Sequence, residues 1–165
     1  MLEPGYSLTE TDADILYRAA RLFNAERTAT GFLSRAEHSR FMLNMKLAKK
    51  GFARSEYESA LDYLEEQHIL DDKRFAEAWL RNRLIHHSEG RQKLLAGLLT
   101  RGISKADAAI ALDSLLQDIT EEELCLRAVT KLKKQGKTGN RLIYALSRRG
   151  FSQKIIRMYL HEEKK

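Results

Sequence analysis

The sequence predicts an all-α protein, an elongated array of three tandem three-helix repeats with about nine helices. Three observations support this prediction. Proline interrupts helices, and the only proline among the 165 residues is Pro4. No segment of useful length alternates polar and apolar residues as a strand does. One short pattern also recurs with a period near 50 residues, which indicates a tandem repeat of one supersecondary unit.

The repeated pattern is a leucine, two spacers, a cation, a glycine and a large apolar residue. It occurs at residues 47–52, 98–103 and 146–151, so Gly51, Gly102 and Gly150 are 51 and 48 positions apart. Glycine at the C′ position ends a helix in the left-handed conformation, and the residue after it contacts the residue at C3. The pattern therefore predicts three helices that end at these glycines.

Short polar residues predict where the following helices begin. Ser104 and Ser152 are good N-caps after the second and third glycines. After the first glycine, Ser55 and Glu58 have the spacing of a capping box.

Each repeat also begins with a lead helix. We predict N-caps at Thr11, Asp71 and Thr120, with a first apolar anchor four residues further on, at Ile15, Phe75 and Leu124. The nine predicted helices are about 11–27, 34–50, 54–67, 71–87, 90–101, 104–117, 120–135, 139–149 and 152–163.

The first repeat is longer than the others. From the predicted cap to the glycine it has 40 residues, against 31 and 30 in the other two. This indicates an insertion near 28–33, where residues 28–32 are predicted to form a loop and Ser34 with Glu37 to cap the next helix. The predicted repeats are residues 9–68, 69–118 and 119–163, the third being basic.

Charge is unevenly distributed along the chain. Residues 127–165 contain twelve Lys and Arg and two acids, a net charge of +10, whereas residues 1–126 contain seventeen and twenty-one, a net of −4. A strongly basic segment is typical of proteins that bind nucleic acid or another acidic partner. A second basic patch spans residues 35–54 and is followed by an acidic segment at 55–72.

The candidate partner- and nucleic-acid-binding residues are the cations of these two basic regions and of the second glycine pattern. They are Lys46, Lys49, Lys50, Arg101, Lys131, Lys133, Lys134, Arg141, Arg148, Arg149, Lys154 and Arg157. An alternative applies to the cations in the last helical turn before each glycine, which are Lys49, Lys50, Arg101, Arg148 and Arg149. Cations in the last turn of a helix interact favourably with the helix dipole, so these residues would simply stabilise helix ends.

The sequence offers no pattern for catalysis, and we predict a protein that is not an enzyme and needs no cofactor. His86 and His87 are adjacent, so they diverge on a helix and do not form an i, i+4 metal site. Cys125 is the single cysteine and is predicted to be a small buried residue, and Trp79 is predicted to lie in the core. No apolar run exceeds six residues and no secretory signal is evident, so we expect no membrane association and a cytoplasmic location.

Several short motifs together resemble one family. Residues 69–76, Ile-Leu-Asp-Asp-Lys-Arg-Phe-Ala, look like the most recognisable stretch of the RecX family, the regulators of the RecA recombinase. Residues 43–52 resemble its first-unit signature, Gly90 with residues 101–103 its second, and residues 148–151 its third. The match covers about residues 34–160 in order. Met42 and Gly97 stand where that family usually has Glu, and Arg91 where it often has Pro.

The resemblance implies a fold and a function. The fold is three tandem three-helix repeats, and the function is binding of the RecA–DNA filament, with inhibition of its growth, ATP hydrolysis and strand exchange. The protein would be a monomeric regulator of homologous recombination, DNA repair and the SOS response. It would contact single- or double-stranded DNA weakly, directly or through the filament.

Two other classes remain open from the residues alone. A helix-turn-helix-like repeat protein that binds DNA directly would also explain the basic C-terminal quarter. A structural scaffold would explain the repeats but not the charge asymmetry. On the filament hypothesis, we expect that reversing the charges of Arg148, Arg149, Lys154 and Arg157 weakens inhibition without unfolding the protein.

Overall fold

The structure, a computed structural model, describes the backbone of residues 9–162 and the side chains of residues 9–159. Within this range the chain forms nine α-helices and no strand, which confirms the all-α prediction. The predicted end of the last helix and of the third repeat, residue 163, lies outside the described residues. The helices are α1 Glu10–Leu33, α2 Arg40–Lys49, α3 Arg54–Glu66, α4 Asp72–His86, α5 Arg91–Leu99, α6 Lys105–Asp118, α7 Glu121–Lys134, α8 Gly139–Arg148 and α9 Gln153–Glu162.

The chain divides into two compact units, Met1–Asp71 and Asp72–Lys165. In the first unit, α1, α2 and α3 pack on one another. In the second unit, α4 and α5 pack on α6, and α7, α8 and α9 pack on one another. The division of the chain into three repeats at residues 69 and 119 stays a prediction.

Leucine is the most frequent residue in the core of each unit. In the first unit, Leu43, Leu47 and Leu61 are fully buried, and Phe32 and Phe52 pack against their cluster. One cluster of the second unit contains these buried residues: Leu124, Cys125, Ala128, Val129, Leu132, Leu142, Leu146, Phe151, Ile155 and Ile156. Since burial of one leucine side chain contributes about 1.5–3 kcal/mol, these clusters hold the helices together.

The three predicted glycine helix ends are confirmed. Gly51, Gly102 and Gly150 have φ angles of 84°, 82° and 83°, all in the left-handed region. In each case the N–H of the next residue donates to the carbonyl five residues earlier, as the C-terminal motif requires. These bonds run from Phe52 to Leu47 (3.2 Å), from Ile103 to Leu98 (3.2 Å) and from Phe151 to Leu146 (3.3 Å).

Two of these helix ends have different surroundings. At Gly51, Arg21 of α1 donates a hydrogen bond of 2.7 Å to the glycine carbonyl, and there is open space where a Cβ atom would stand. At Gly150, a Cβ atom would lie 2.4 Å from the backbone N of Lys93. The N–H of Gly90 donates to the carbonyl of Arg149 at 2.8 Å, so the end of α8 touches the start of α5 backbone to backbone.

The prediction of a loop at residues 28–32 is wrong, because α1 continues to Leu33. The hydroxyls of Thr28 and Thr30 donate to the carbonyls four residues earlier, at 2.7 and 2.9 Å, so they do not interrupt the helix. The actual loop begins at Ser34, and α2 starts at Arg40 with Ser39 as its N-cap. The insertion therefore lengthens α1, and the predicted cap by Ser34 and Glu37 is also wrong.

Two further predicted helix starts are wrong by two residues. The N-cap of α1 is Thr9, which forms a capping box with Asp12, rather than Thr11. The N-cap of α3 is Ala53, whose N–H donates to Glu56 at 2.7 Å, rather than Ser55. In both cases an acid at the third helical position fixes the start, because its carboxylate accepts from the N-cap N–H.

Three of the other four predicted caps are confirmed, and the cap at Asp71 stays a prediction. Ser104 accepts from Asp107 N at 3.0 Å, Thr120 from Glu123 N at 3.2 Å and Ser152 from Ile155 N at 3.3 Å. Asp71 directly precedes the first residue of α4.

The predicted anchors of the lead helices differ in burial. Phe75 and Leu124 are buried, as predicted, but Ile15 is 60% exposed. The buried residues of α1 are Ala25 and Ala29, both in the C-terminal half of the helix. The packing contact of α1 is therefore shifted toward its C-terminal half.

Candidate partner and nucleic-acid interface

The candidate cations of the first unit lie in the last turn of α2. Lys49 and Lys50 are exposed, and Lys50 is the C-cap residue. Lys46 is half-buried, with its Nζ atom 4.5 Å from the centre of the Phe32 ring. Lys49 and Lys50 can therefore meet a partner directly, whereas Lys46 also supports the packing of α1 on α2.

Other cations of the first basic patch are neutralised by the acidic segment of α3. Arg40 forms ion pairs with Asp62 and Glu65. Arg54 pairs with Glu58 one turn further along the helix, at 2.6 Å. Ion pairs inside the unit therefore balance part of the positive charge of this patch, and Lys49 and Lys50 are its exposed candidate residues.

Arg101 is engaged within the second unit. Its guanidinium lies 4.8 Å from the centre of the Trp79 ring and donates to the carbonyl of Gly97 at 2.8 Å. The absence of a side chain at Gly97 makes room for Trp79, since a Cβ atom there would lie 2.4 Å from the ring. Trp79 itself is half-buried. Arg101 stabilises the end of α5, in agreement with the alternative that cations before the glycines stabilise helix ends.

The cations of α7 follow its solvent side. Lys131, Lys133 and Lys134 are exposed, and the Nζ atom of Lys133 lies 6.0 Å from the centre of the Tyr159 ring. Arg127, Lys131 and Lys134 line one shallow groove. Their positions follow the spacing i, i+4, i+7. This spacing places the three cations on one face of the helix.

The remaining candidates lie on α8 and α9. Arg141, Arg148, Lys154 and Arg157 are exposed. Arg149 is half-buried, is the C-cap residue of α8 and donates a long hydrogen bond of 3.5 Å to the carbonyl of Ser88. Arg149 therefore helps to hold the end of α8 against the segment that leads into α5.

Arg148 and Arg149 lie beside two cations that are not among the predicted candidates. Together with Lys93 and Lys137 they line an open pocket of about 230 Å³, whose other lining residues are Leu132 and Ala145. Lys93 belongs to α5 and Lys137 to the turn between α7 and α8. Lys137 belongs to the basic segment 127–165, whereas Lys93 is brought to the pocket by the packing of α5 against α8, which no sequence signal near Lys93 indicates.

A buried carboxylate holds the neighbouring segment in place. Glu89 is 4% exposed and accepts from Arg83 at 2.6 and 2.9 Å and from Lys93 at 2.9 Å. Burial acts to raise the pKa of Glu89, but the bonds from Arg83 and Lys93 outweigh it, and the pKa lies below its usual value. Glu89 thus stays ionised and fixes the entry into α5.

Cys125 is buried in the core of the second unit, as predicted. It is 1% exposed, and burial, with the charges of Glu121 and Glu122, raises the pKa of its thiol to about 11. Within the described residues no three His, Cys, Asp or Glu side chains converge as metal ligands would. In the same range no helix has the length and apolar character to cross a membrane.

Comparisons with known proteins give one consistent result. The family model described as "RecX, second three-helix domain" matches residues 71–112. The regulatory protein RecX of Treponema pallidum (strain Nichols) is 44% identical over 145 residues, 88% of each chain. The regulatory protein RecX of Chlorobium limicola is 30% identical over 135 residues, 78% of this chain and 82% of the relative.

Solved structures agree at the level of the fold. A crystal structure of regulatory protein RecX superposes with a TM-score of 0.81 at 21% identity and covers 95% of this chain and 80% of its own. The crystal structure of RecX from Lactobacillus salivarius gives a TM-score of 0.75 at 22% identity and covers 87% of this chain and 97% of its own. Together with the identity to curated relatives along most of the sequence, these matches establish that the chain belongs to the RecX family of regulatory proteins.

Proposed function

We propose that this protein binds the RecA–DNA filament and inhibits filament growth, ATP hydrolysis and strand exchange. It acts as a monomer in the bacterial cytoplasm, without catalysis of its own, in homologous recombination, DNA repair and the SOS response. Its direct contact with single- or double-stranded DNA is weak, so the filament rather than free DNA is the main partner.

The observation that carries this proposal is the exposed charge of α7, α8 and α9. Lys131, Lys134, Arg141, Arg148, Lys154 and Arg157 all reach solvent on a fold shared with regulatory RecX proteins. A partner rich in phosphates or carboxylates is attracted by such a surface. In the first unit, Lys49 and Lys50 provide a second exposed pair that is able to meet the same large partner.

The test is DNA-dependent ATP hydrolysis by the recombinase, titrated with this protein at one moderate salt concentration. Binding to the same DNA without recombinase is measured in parallel. We expect inhibition at protein concentrations well below those that coat the DNA. Inhibition only after the free DNA is saturated would contradict the proposal and favour direct competition for DNA by a helix-turn-helix-like protein.

A charge-reversal variant locates the interaction. We expect that changing Arg148, Lys154 and Arg157 together to Glu weakens inhibition, because three exposed cations of α8 and α9 become acids. Arg149 is left unchanged because it supports the contact between α8 and α5.

The matched control changes Arg18, Arg27 and Lys105 to Glu, which alters the net charge equally at exposed sites outside α7–α9. If the first variant has normal helicity and still inhibits fully, the exposed cations of α8 and α9 do not contact the filament. Equal loss in both variants would indicate a general effect of net charge.

The alternative of direct DNA binding makes a different prediction. A protein whose affinity comes from phosphate contacts loses affinity steeply as salt rises. Tight binding to free duplex with such a slope, and no added effect of the recombinase, would make the alternative the better hypothesis.

A further inference from the structure

The pocket beside α8 is an open, cationic surface pocket, and Arg148 in its lining lies next to the exposed Tyr144. Its charged lining residues, Lys93, Lys137, Arg148 and Arg149, are all basic, and no carboxylate is among its described lining residues. Its volume of about 230 Å³ is several times the roughly 30 Å³ that one water molecule occupies in the liquid. A phosphate group with some of its hydration shell therefore fits inside.

The positive charge of this pocket is only partly compensated. Lys93 shares the Glu89 carboxylate with Arg83, so two cations meet one acid there. The N–H groups in the first turn of α5 are used within the protein, since Gly90 and Gln92 donate to carbonyls of Arg149 and Gly150. An anion in the pocket is consequently bound by the side chains of Lys137, Arg148 and Arg149 rather than by the helix N-terminus.

Tyr144 presents an aromatic ring next to Arg148, one of the residues that line the pocket. Its side chain is 66% exposed, and the guanidinium of Arg148 lies 5.9 Å from the centre of its ring. The opposite side of α8 is buried through Leu142 and Leu146, so the helix holds the ring on its solvent side. Because Arg148 also lines the pocket, one side chain joins the aromatic ring to the anion site.

We propose that this part of the second unit binds single-stranded DNA, with a backbone phosphate in the pocket and a neighbouring base stacked on Tyr144. Proteins that bind single strands combine a basic groove for the backbone with aromatic side chains for the bases. A base in a duplex is already stacked on both faces, so the tyrosine selects unpaired strands. The proposal deepens the proposed function, on which it rests, because it names the DNA-contacting part of the same basic surface.

The experiment measures binding of the full-length protein to a fluorescent oligothymidylate and to a duplex of equal length, without recombinase. We expect Tyr144→Ala to lower affinity for the single strand roughly 5- to 150-fold, the range for loss of one stacked base, and to leave duplex affinity nearly unchanged. Tyr144→Phe keeps the ring and should retain single-strand affinity. Tyr63→Ala is the matched control, since Tyr63 is also exposed, at 47%, but lies on α3 of the first unit.

Lys137→Glu tests the phosphate part of the site. It should weaken binding to both DNAs and, because one phosphate contact is lost, reduce the steepness of the salt dependence by about one unit of slope. Circular dichroism and thermal unfolding verify that each variant is folded.

The proposal is overturned if the parent protein does not bind the single strand, or if Tyr144→Ala binds it as well as the parent does. It is also overturned if Tyr144→Ala loses duplex and single-strand binding equally, since the ring would then not stack on a base. If Lys137→Glu loses binding but Tyr144→Ala does not, the pocket binds a phosphate without a base stacked on Tyr144. That result would also reject the proposal.

Recombinase ATP hydrolysis with the same variants separates this site from the filament function. Single-strand binding that depends on Tyr144, in a protein that does not inhibit the recombinase, would support the site and contradict the proposed function. A parent protein that inhibits the recombinase but does not bind the single strand would support the proposed function and contradict the site.

Discussion

Gly51 and Gly150 end their helices with the same backbone conformation but in different surroundings. Their φ angles are 84° and 83°, and each is followed by a phenylalanine that bonds back to a leucine. Gly51 faces open space, whereas Gly150 lies against the backbone of Lys93 and Gly90. The same local motif therefore only ends a helix in the first unit, whereas in the second unit it also joins α8 to α5.

Gly150→Ala should have the largest effect, because it combines both roles. The left-handed conformation costs a non-glycine residue about 1–2 kcal/mol, and the new methyl group would also overlap the Lys93 backbone at 2.4 Å. We expect a loss of about 4 kcal/mol or more in the free energy of unfolding, measured by urea denaturation. A loss as small as that of Gly51→Ala would show that the contact with α5 yields easily.

Gly90→Ala isolates the contact from the conformation. Gly90 has a φ of −79°, which any residue adopts, but its Cβ atom would lie 2.4 Å from the carbonyl oxygen of Gly150. The expected loss of unfolding free energy is about 3 kcal/mol, the upper part of the range for overpacking. Unchanged stability in urea would mean that α5 and α8 separate without penalty.

Glu89→Gln removes the ionic support beside the same contact. Because Arg83 and Lys93 keep part of their hydration, we expect a loss of about 2 kcal/mol at pH 7, less than for a fully buried pair. The pKa of Glu89 is lowered in the folded protein, so its contribution is fully present above the unfolded pKa of about 4.3 and is lost as the pH falls through the folded value.

Urea titrations of parent and variant from pH 7 down to pH 3 measure this difference. The two stabilities should converge at the acidic end. A constant difference across this range would show that the charge of Glu89 contributes nothing.

Gly51→Ala should have the smallest effect and supplies the reference for the comparison. Only the conformational term of about 1–2 kcal/mol applies, because nothing lies within 4 Å of the new methyl group and Arg21 retains its bond to the carbonyl. The same urea measurement checks it. A loss equal to that of Gly150→Ala would remove the distinction between the two helix ends.

The sequence predicted what depends on neighbours along the chain. The glycine helix ends and the caps at Ser104, Thr120 and Ser152 are local, because each bond spans only three to five residues. Local signals also misled, since the Thr-Ala-Thr-Gly stretch at 28–31 resembles a loop but lies inside α1. There the hydroxyls bond to the helix carbonyls, which composition alone does not reveal.

The contacts between distant segments could not be predicted. Gly90 and Gly150 are 60 positions apart, and nothing near either glycine indicates the other. The basic pocket likewise combines Lys93 and Lys137 with Arg148 and Arg149, so half of its cations were missed. Arg101 and Arg149 were predicted as binding residues from their charge. In the structure Arg101 packs on the Trp79 ring and Arg149 donates to the carbonyl of Ser88, so both also stabilise the fold.

The burial of Cys125 has a practical consequence for studying this protein. With a thiol pKa of about 11, on the order of one molecule in a thousand carries a reactive thiolate at pH 8, and the sulfur is also covered. A cysteine introduced at an exposed position would therefore be the reactive one without removal of the native residue. Site-specific dyes or crosslinkers placed in this way on α8 and on α2 would map which surface each partner covers.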